Sequence, residues 1–225
     1  FQEGLEIFKE HMISLVFEND SNTGTTFYKF GDGDYYFLKK QAVGSAAPGA
    51  RALSVPFDSI NHDEFTSGAQ LNNFYTCEIY PENISRYGEV IEKDINYPAE
   101  YGYGLVGNKW FFEKFAGKIG LIGASQKLSL IEELMSKEEY KNYLGIDSFN
   151  DYIHYPQNHA CDDITSVEKY VGEQLQESTS KIFLLGIGHS KSAILHRLRN
   201  YTDSVFMDVG AGIDMIAGCI NIILI

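Results

Sequence analysis

Two carboxylates one glycine apart, in Phe30-Gly31-Asp32-Gly33-Asp34-Tyr35, are the residues of this chain best spaced for chemistry. The glycine between Asp32 and Asp34 lets the backbone turn tightly, so both side chains can offer oxygens to one hard divalent cation, Mn²⁺ or Mg²⁺, that also holds a diphosphate. The same residues also suit a plain turn. Later, Gly186-Ile187-Gly188-His189-Ser190-Lys191 follows an apolar run. Its glycines let backbone N–H groups approach phosphate oxygens at a helix start, with Ser190 as donor, Lys191 as counter-charge and His189 close to the phosphate. The segment has neither P-loop spacing nor the third glycine of the dinucleotide fingerprint, and its glycines would equally serve tight strand–helix packing. Gly123-Ala124-Ser125 is a weaker turn whose interest is its place at the same sheet edge. Asp208 opens the glycine-rich turn Asp208-Val209-Gly210-Ala211-Gly212 or caps the helix that follows, and Asp214 either complements a helix dipole or faces the ligand. His154 and His159 are separated by Pro156, and no histidine pair has metal-ligand spacing.

The elements that must carry these residues are clearest in the second half. Lys118–Ile122, Tyr152–Tyr155 and Lys181–Leu185 are short apolar runs, each ended by glycine or proline, and Ser204–Asp208 is another that enters Gly210-Ala211-Gly212. Between them, Leu128–Met135, Asp162–Gln176 and the stretch from Ala193 to Leu198 have helical spacing of apolar residues. Continuous apolar strands alternating with amphipathic helices predict an α/β fold, a doubly wound, mostly parallel Rossmann-like sheet covered on both faces, with ligands at the carboxyl ends of its strands. The first half predicts a helical, aromatic-rich lobe: an opening helix from Leu5 to Phe17, a strand at Phe27–Phe30, a helix starting within Tyr35–Lys40, a loop over Gln41–Pro56, and mostly helix over Asn61–Ile91. The 225 residues read as one domain, with a metal-motif part over 1–116 and a nucleotide-binding part over 117–225. The start at Phe1 and the stop within an apolar run suggest a piece of a longer polypeptide with neighbouring domains.

The run Tyr28-Lys29-Phe30-Gly31-Asp32-Gly33-Asp34, together with the two late glycine-ended strands, resembles the GT-D fold glycosyltransferases. Lys29 stands where that family has an arginine, and Asp32 and Asp34 where it has its metal-binding Asp-x-Glu pair. Met207 to Asp214 resembles the family's late strand and Gly-His-x-Asp turn, with one extra residue after Gly210 and without the histidine. The resemblance implies transfer of a hexose or 6-deoxyhexose, of glucose or rhamnose type, from a UDP-sugar to a hydroxyl of a glycan or glycoprotein. It implies a divalent metal on Asp32 and Asp34, and a nucleotide sugar held by Lys29, Gly31, Gly33, Gly123, Ser125, Gly186, Gly188, His189, Ser190 and Lys191. Asp208 or Asp214 would act as catalytic base. A rival expectation comes from Asp208–Gly212, which resembles the acidic glycine-rich turn of S-adenosylmethionine-dependent methyltransferases, although there the turn follows the first strand. A non-catalytic nucleotide-binding or interaction module is the other alternative.

Composition narrows the partners. The chain is 44% hydrophobic and 22% charged, with 31 acidic against 18 basic residues and a net charge of −13, which repels a nucleic-acid backbone. An anionic small molecule must therefore bind where backbone amides, lysines or a metal locally reverse that field. Three scattered cysteines indicate neither a disulfide framework nor structural zinc, and a cytoplasmic setting is expected. Ala211–Ile225 is too short and too polar, with Asp214 and Asn221, to span a membrane.

Overall fold

A computed structural model describes residues 2–18, 20, 22–40, 60–156 and 160–219. Its strands are β1 (Thr25–Phe30), β2 (Phe74–Cys77), β3 (Tyr97–Pro98), β4 (Ile119–Ala124), β5 (Asp151–Tyr155), β6 (Ile182–Gly186) and β7 (Val205–Asp208). They form one seven-stranded sheet in the order β3-β2-β1-β7-β6-β4-β5, and every pairing is parallel.

Helices α2 (Asp32–Leu38), α3 (His62–Ala69), α4 (Pro81–Val90), α9 (Ile164–Gln176) and α10 (Lys191–Leu198) pack on one face, where Phe37, Phe65, Tyr87, Val171 and Leu195 meet Tyr28, Phe183 and Phe206 of the sheet. The opposite face carries α1 (Gln2–Phe17), α5 (Ala99–Val106), α6 (Lys109–Lys114), α7 (Ser125–Met135), α8 (Glu138–Leu144) and α11 (Gly212–Ile216), over Phe27, Leu121, Leu184 and Met207. Crossovers that step toward β3 (β1 to β2, β2 to β3, β5 to β6, β6 to β7) run over the first face. Those that step toward β5 (β3 to β4, β4 to β5) run over the second. A single crossover handedness requires this arrangement. Strands β1, β4, β6 and β7 are buried almost throughout, as strands of a parallel sheet covered on both faces must be.

The doubly wound parallel sheet is therefore the expected one, and the aromatic-rich N-terminal half is largely helical. That half also supplies three of the seven strands: residues 61–91 contain β2 between α3 and α4, and β1 pairs directly with β7. The helix after the Gly-Asp-Gly-Asp turn begins within it, at Asp32 rather than near Tyr35, because Asp32 and Asp34 both favour a first turn. The expected loop over 41–56 and His159 lie outside the described residues. Among the described residues no helix is long and apolar enough to cross a membrane.

Candidate active site at the carboxyl edge

Side chains on a strand alternate between faces, so the ends of β1 and β7 send charged groups to both sides of the sheet. Lys29 follows Tyr28 and turns toward α5, where its Nζ lies 4.9 Å from the Tyr103 ring centre and 3.3 Å from Glu78 Oε1. Asp208, two residues beyond Phe206, turns the other way, toward the start of α10. There Lys191 Nζ lies 2.8 Å from Asp208 Oδ2 and 3.0 Å from Asp34 Oδ2, donates to the carbonyl of Lys29, and sits 4.8 Å above the Tyr28 ring. One ammonium thus ties together β1, α2, β7 and α10.

This cluster is buried: Lys29, Asp34, Lys191 and Asp208 are 8, 5, 7 and 5% exposed. Burial alone would raise the Asp34 pKa, but Lys191, with help from His189, holds it well below the ordinary carboxylate range. Burial likewise works against the charge on Lys191, and Asp208 and Asp34 overcome it, so its pKa is raised. Lys29 follows the same pattern: burial opposes the charge, Tyr103 and Glu78 favour it, and the net shift is upward.

The glycine turns are organised by these carboxylates. Asp34 reaches back from the first turn of α2 to accept the Gly31 N–H at 2.8 Å, and Asp32 Oδ1 accepts the Gly33 N–H at 2.7 Å. Asp208 accepts from the N–H groups of Gly210 (2.9 Å) and Lys29 (3.2 Å). His189 stacks on Phe37 with ring centres 4.7 Å apart and planes 2° from parallel, its Nδ1 4.0 Å from Asp34 Oδ1. A Cβ on Gly33 would come within 3.2 Å of that imidazole, so the motif turn and the α10 turn are in contact.

Gly186 and Gly188 have different reasons to be glycine. A Cβ at 186 would lie 2.8 Å from the Gly210 carbonyl oxygen and 2.9 Å from Ile213, which is a packing requirement. At 188 no atom lies within 4 Å, but φ is +60°, a conformation that favours glycine and leaves the turn open to a ligand. Beside it, a cavity of about 160 Å³ is bounded by Ala124, Lys127, Tyr155, Pro156, Ala160, Gly186, Ile187 and Gly188. Gly123 and Ser125 belong to the neighbouring end of β4, where Ser125 Oγ is 3.1 Å from His154 Nδ1.

The structure thus gathers Lys29, Gly31, Asp32, Gly33, Asp34, Gly186, Gly188, His189, Ser190, Lys191 and Asp208 at the ends of β1, β7 and β6, with Gly123 and Ser125 one strand away. Several of these groups are nonetheless occupied. The three N–H donors of Lys191 are matched by Asp34, Asp208 and the Lys29 carbonyl, and two carboxylates offset its charge, so none of its donors is left for a ligand. Ser190 accepts from the Tyr155 hydroxyl at 2.5 Å and donates to the Ile187 carbonyl at 2.6 Å, with 1% exposure. Asp214 is 2.6 Å from Lys127 and lies on α11. Asp32 and Asp34 have different partners and different exposure: Asp34 is spent on Lys191 and Gly31, while Asp32 is half-buried with one oxygen on Gly33. Among the described residues no group of three or more His, Cys, Asp or Glu side chains is arranged to hold a metal. Asp32 is therefore the one member of the motif pair that could ligate. That suits an ion of Mg²⁺ type, which is held by one or two carboxylates together with substrate phosphates and water.

Glu78, Tyr103 and Lys127 belong to no motif that the sequence shows. Glu78 follows β2, a four-residue strand that the irregular apolar spacing of 61–91 concealed. The Asp208–Gly212 turn follows β7, the central strand of the sheet and the last in chain order, and its carboxylate is buried on Lys191.

No protein-family model matches this chain, and no curated protein matches it. Among solved structures it is similar to "A New Glycosyltransferase (DUF1792) from Streptococcus sanguinis", with 10% sequence identity, coverage of 89% of this chain and 79% of that one, and a TM-score of 0.54. At that identity the likeness concerns the fold: this parallel α/β architecture is one that a glycosyltransferase uses.

Proposed function

We propose that this chain is a glycosyltransferase that moves a hexose or 6-deoxyhexose from a UDP-sugar to a hydroxyl of a glycan or glycoprotein. The observation that carries the reading is the open Gly188 turn beside the buried Lys29 and Lys191 cluster, at the carboxyl edge of the sheet of a chain whose net charge is −13. Asp34, Asp208 and Glu78 balance the charge of those lysines, so a diphosphate there would be held by the backbone N–H groups of the turn together with a divalent ion. The adjoining cavity of about 160 Å³ is of the size that accepts one aromatic ring, since ~150 Å³ of apolar space takes up benzene. It fits a nucleobase better than a whole nucleotide sugar, which leaves the diphosphate and sugar to run along the strand ends toward β1.

In this reading the chain's own residues hold charge in place. Lys191 fixes the ends of β1 and β7, so the turn amides that would face the leaving diphosphate need no rearrangement during the reaction. Lys29, on the other face, adds a second ammonium anchored by Glu78 and Tyr103. A divalent ion on Asp32 would add Lewis-acid neutralisation of the charge that grows on the diphosphate.

Thermal unfolding with UDP and Mn²⁺, compared with S-adenosylmethionine, tests the proposal. A ligand at 100 times its dissociation constant stabilises by ~2.7 kcal/mol, and UDP with Mn²⁺ should do so while S-adenosylmethionine does not. Stabilisation by S-adenosylmethionine alone would replace this reading with the methyltransferase. UDP binding without turnover of any UDP-hexose would leave a nucleotide-binding module.

A further inference from the structure

The acids at the ends of β2, β1 and β7 differ in what their oxygens already do. Asp34 and Asp208 are buried on Lys191, Asp214 is paired with Lys127, and Asp32 is the carboxylate available to a metal. Glu78 directly follows β2, and its side chain remains 28% exposed. Its two oxygens have separate anchors, Lys29 Nζ at 3.3 Å from Oε1 and Asn83 Nδ2 at 3.2 Å from Oε2, which fix the carboxylate and still leave half of its roughly four lone-pair sites. Glu100, at the start of α5, accepts the Ile79 N–H at 3.1 Å and so holds the backbone just past Glu78.

The register places this carboxylate. Phe30 pairs with Cys77, so Glu78 is level with Gly31 and lies one strand beyond the Asp32 motif. The aromatic-sized cavity lies on the other side, among the ends of β4, β5 and β6. A donor that starts in that cavity and reaches Lys29 presents its sugar toward β2, where the part-exposed Glu78 is the acid that directly follows the strand and contacts Lys29.

We infer that Glu78 is the general base for the acceptor hydroxyl, an assignment that rests on the glycosyltransferase reading. The acceptor O–H proton passes to the Glu78 carboxylate as the acceptor oxygen bonds to the anomeric carbon. The bond from that carbon to the phosphate oxygen breaks, and its electron pair leaves on the UDP. The proton on Glu78 then passes to water. A single displacement of this kind inverts the anomeric centre.

The test compares wild type with Glu78→Gln and Glu78→Asp, using UDP-glucose and other UDP-hexoses as donors, p-nitrophenyl hexosides and water as acceptors, and UDP release as readout. UDP affinity is measured in parallel by calorimetry. Glu78→Gln should lower kcat by about 10²–10⁴, the range typical of a lost general base. Its UDP affinity should be unchanged or higher, because Lys29 loses its carboxylate partner. Glu78→Asp should keep part of the activity. A kcat for Glu78→Gln within about tenfold of wild type, below the range of a lost base, would overturn the assignment. So would loss of UDP affinity at constant kcat, or a retained anomeric configuration. If wild type binds UDP but turns over none of these donors, the transferase reading falls and Glu78 falls with it. If wild type turns them over and Glu78→Gln does too, only the assignment of Glu78 fails.

Discussion

Replacing Lys191 with Met keeps most of the side-chain volume and removes the charge on which the carboxyl edge depends. Lys191 is 7% exposed and contacts two carboxylates that are each 5% exposed, so the substitution orphans Asp34 and Asp208 together. Breaking a buried ion pair from one side costs ~3–5 kcal/mol. Backbone donors remain on both acids, from Gly31 to Asp34 and from Lys29 and Gly210 to Asp208, which keeps the expected loss within that range. Against a total stability of ~5–15 kcal/mol this is a large fraction. In urea, with m near ~2 kcal/mol/M, the midpoint should fall by about 2 M. The pH dependence gives an independent sign. In wild type Asp34 has a lowered pKa, so its contribution is complete above 3.8 and is lost as pH falls below that value. Lys191 has a raised pKa, so its contribution is complete below 10.5 and is lost as pH rises above it. Between those limits the cluster's contribution is flat. In Lys191→Met burial acts on Asp34 without its ammonium and raises its pKa, so the variant should become more stable as pH is lowered from 7 to 5. Adding Asp34→Asn should recover part of the loss, because the orphaned charge is removed. A Lys191→Met variant within ~1 kcal/mol of wild type at pH 7, as for an exposed pair, or one with a flat pH response, would refute the reasoning.

The two glycines of the α10 turn should separate in urea denaturation: Gly186→Ala drives a methyl against the Gly210 carbonyl and Ile213 and should cost about 1–3 kcal/mol plus a shift of β7. Gly188→Ala meets no atom and should cost only the ~1–2 kcal/mol of its positive φ. The motif acids should separate as well. Asp32→Asn should leave the melting temperature unchanged and abolish the Mn²⁺ enhancement of UDP affinity. Asp34→Asn, which leaves Lys191 short of a partner, should lower the melting temperature by roughly 6–12 °C, from ~3 kcal/mol at ~2–4 °C per kcal/mol.

What the sequence revealed depended on how far apart the cooperating residues lie. Strands β4 and β6 are apolar runs with glycine and β7 is apolar up to Asp208, and two-sided burial leaves that mark on a local window. Strands β2 and β3, four and two residues long, carry too little pattern to stand out among helices. Asp32, Asp34 and the Gly186–Lys191 turn were legible because their spacing is local. The role of Lys191 was not: its partners Lys29, Asp34 and Asp208 come from three other elements, and the contact with the Lys29 carbonyl spans 162 positions. A lysine that reads as a phosphate counter-charge also holds Asp34 of the motif and Asp208 of β7. Glu78 and Lys127 carry no motif and become visible only when β2 and β4 take their places in the sheet.

The central claim is that a nucleoside diphosphate binds along the ends of β6, β7 and β1, and amide hydrogen exchange with and without UDP and Mn²⁺ tests it most directly. Exchange should slow in the peptides covering Phe30–Leu38, Gly186–Lys191 and Asp208–Gly212, and remain unchanged at the opposite, amino-terminal edge of the sheet. Saturating UDP that leaves these three turns unprotected, or protects that other edge instead, would contradict it.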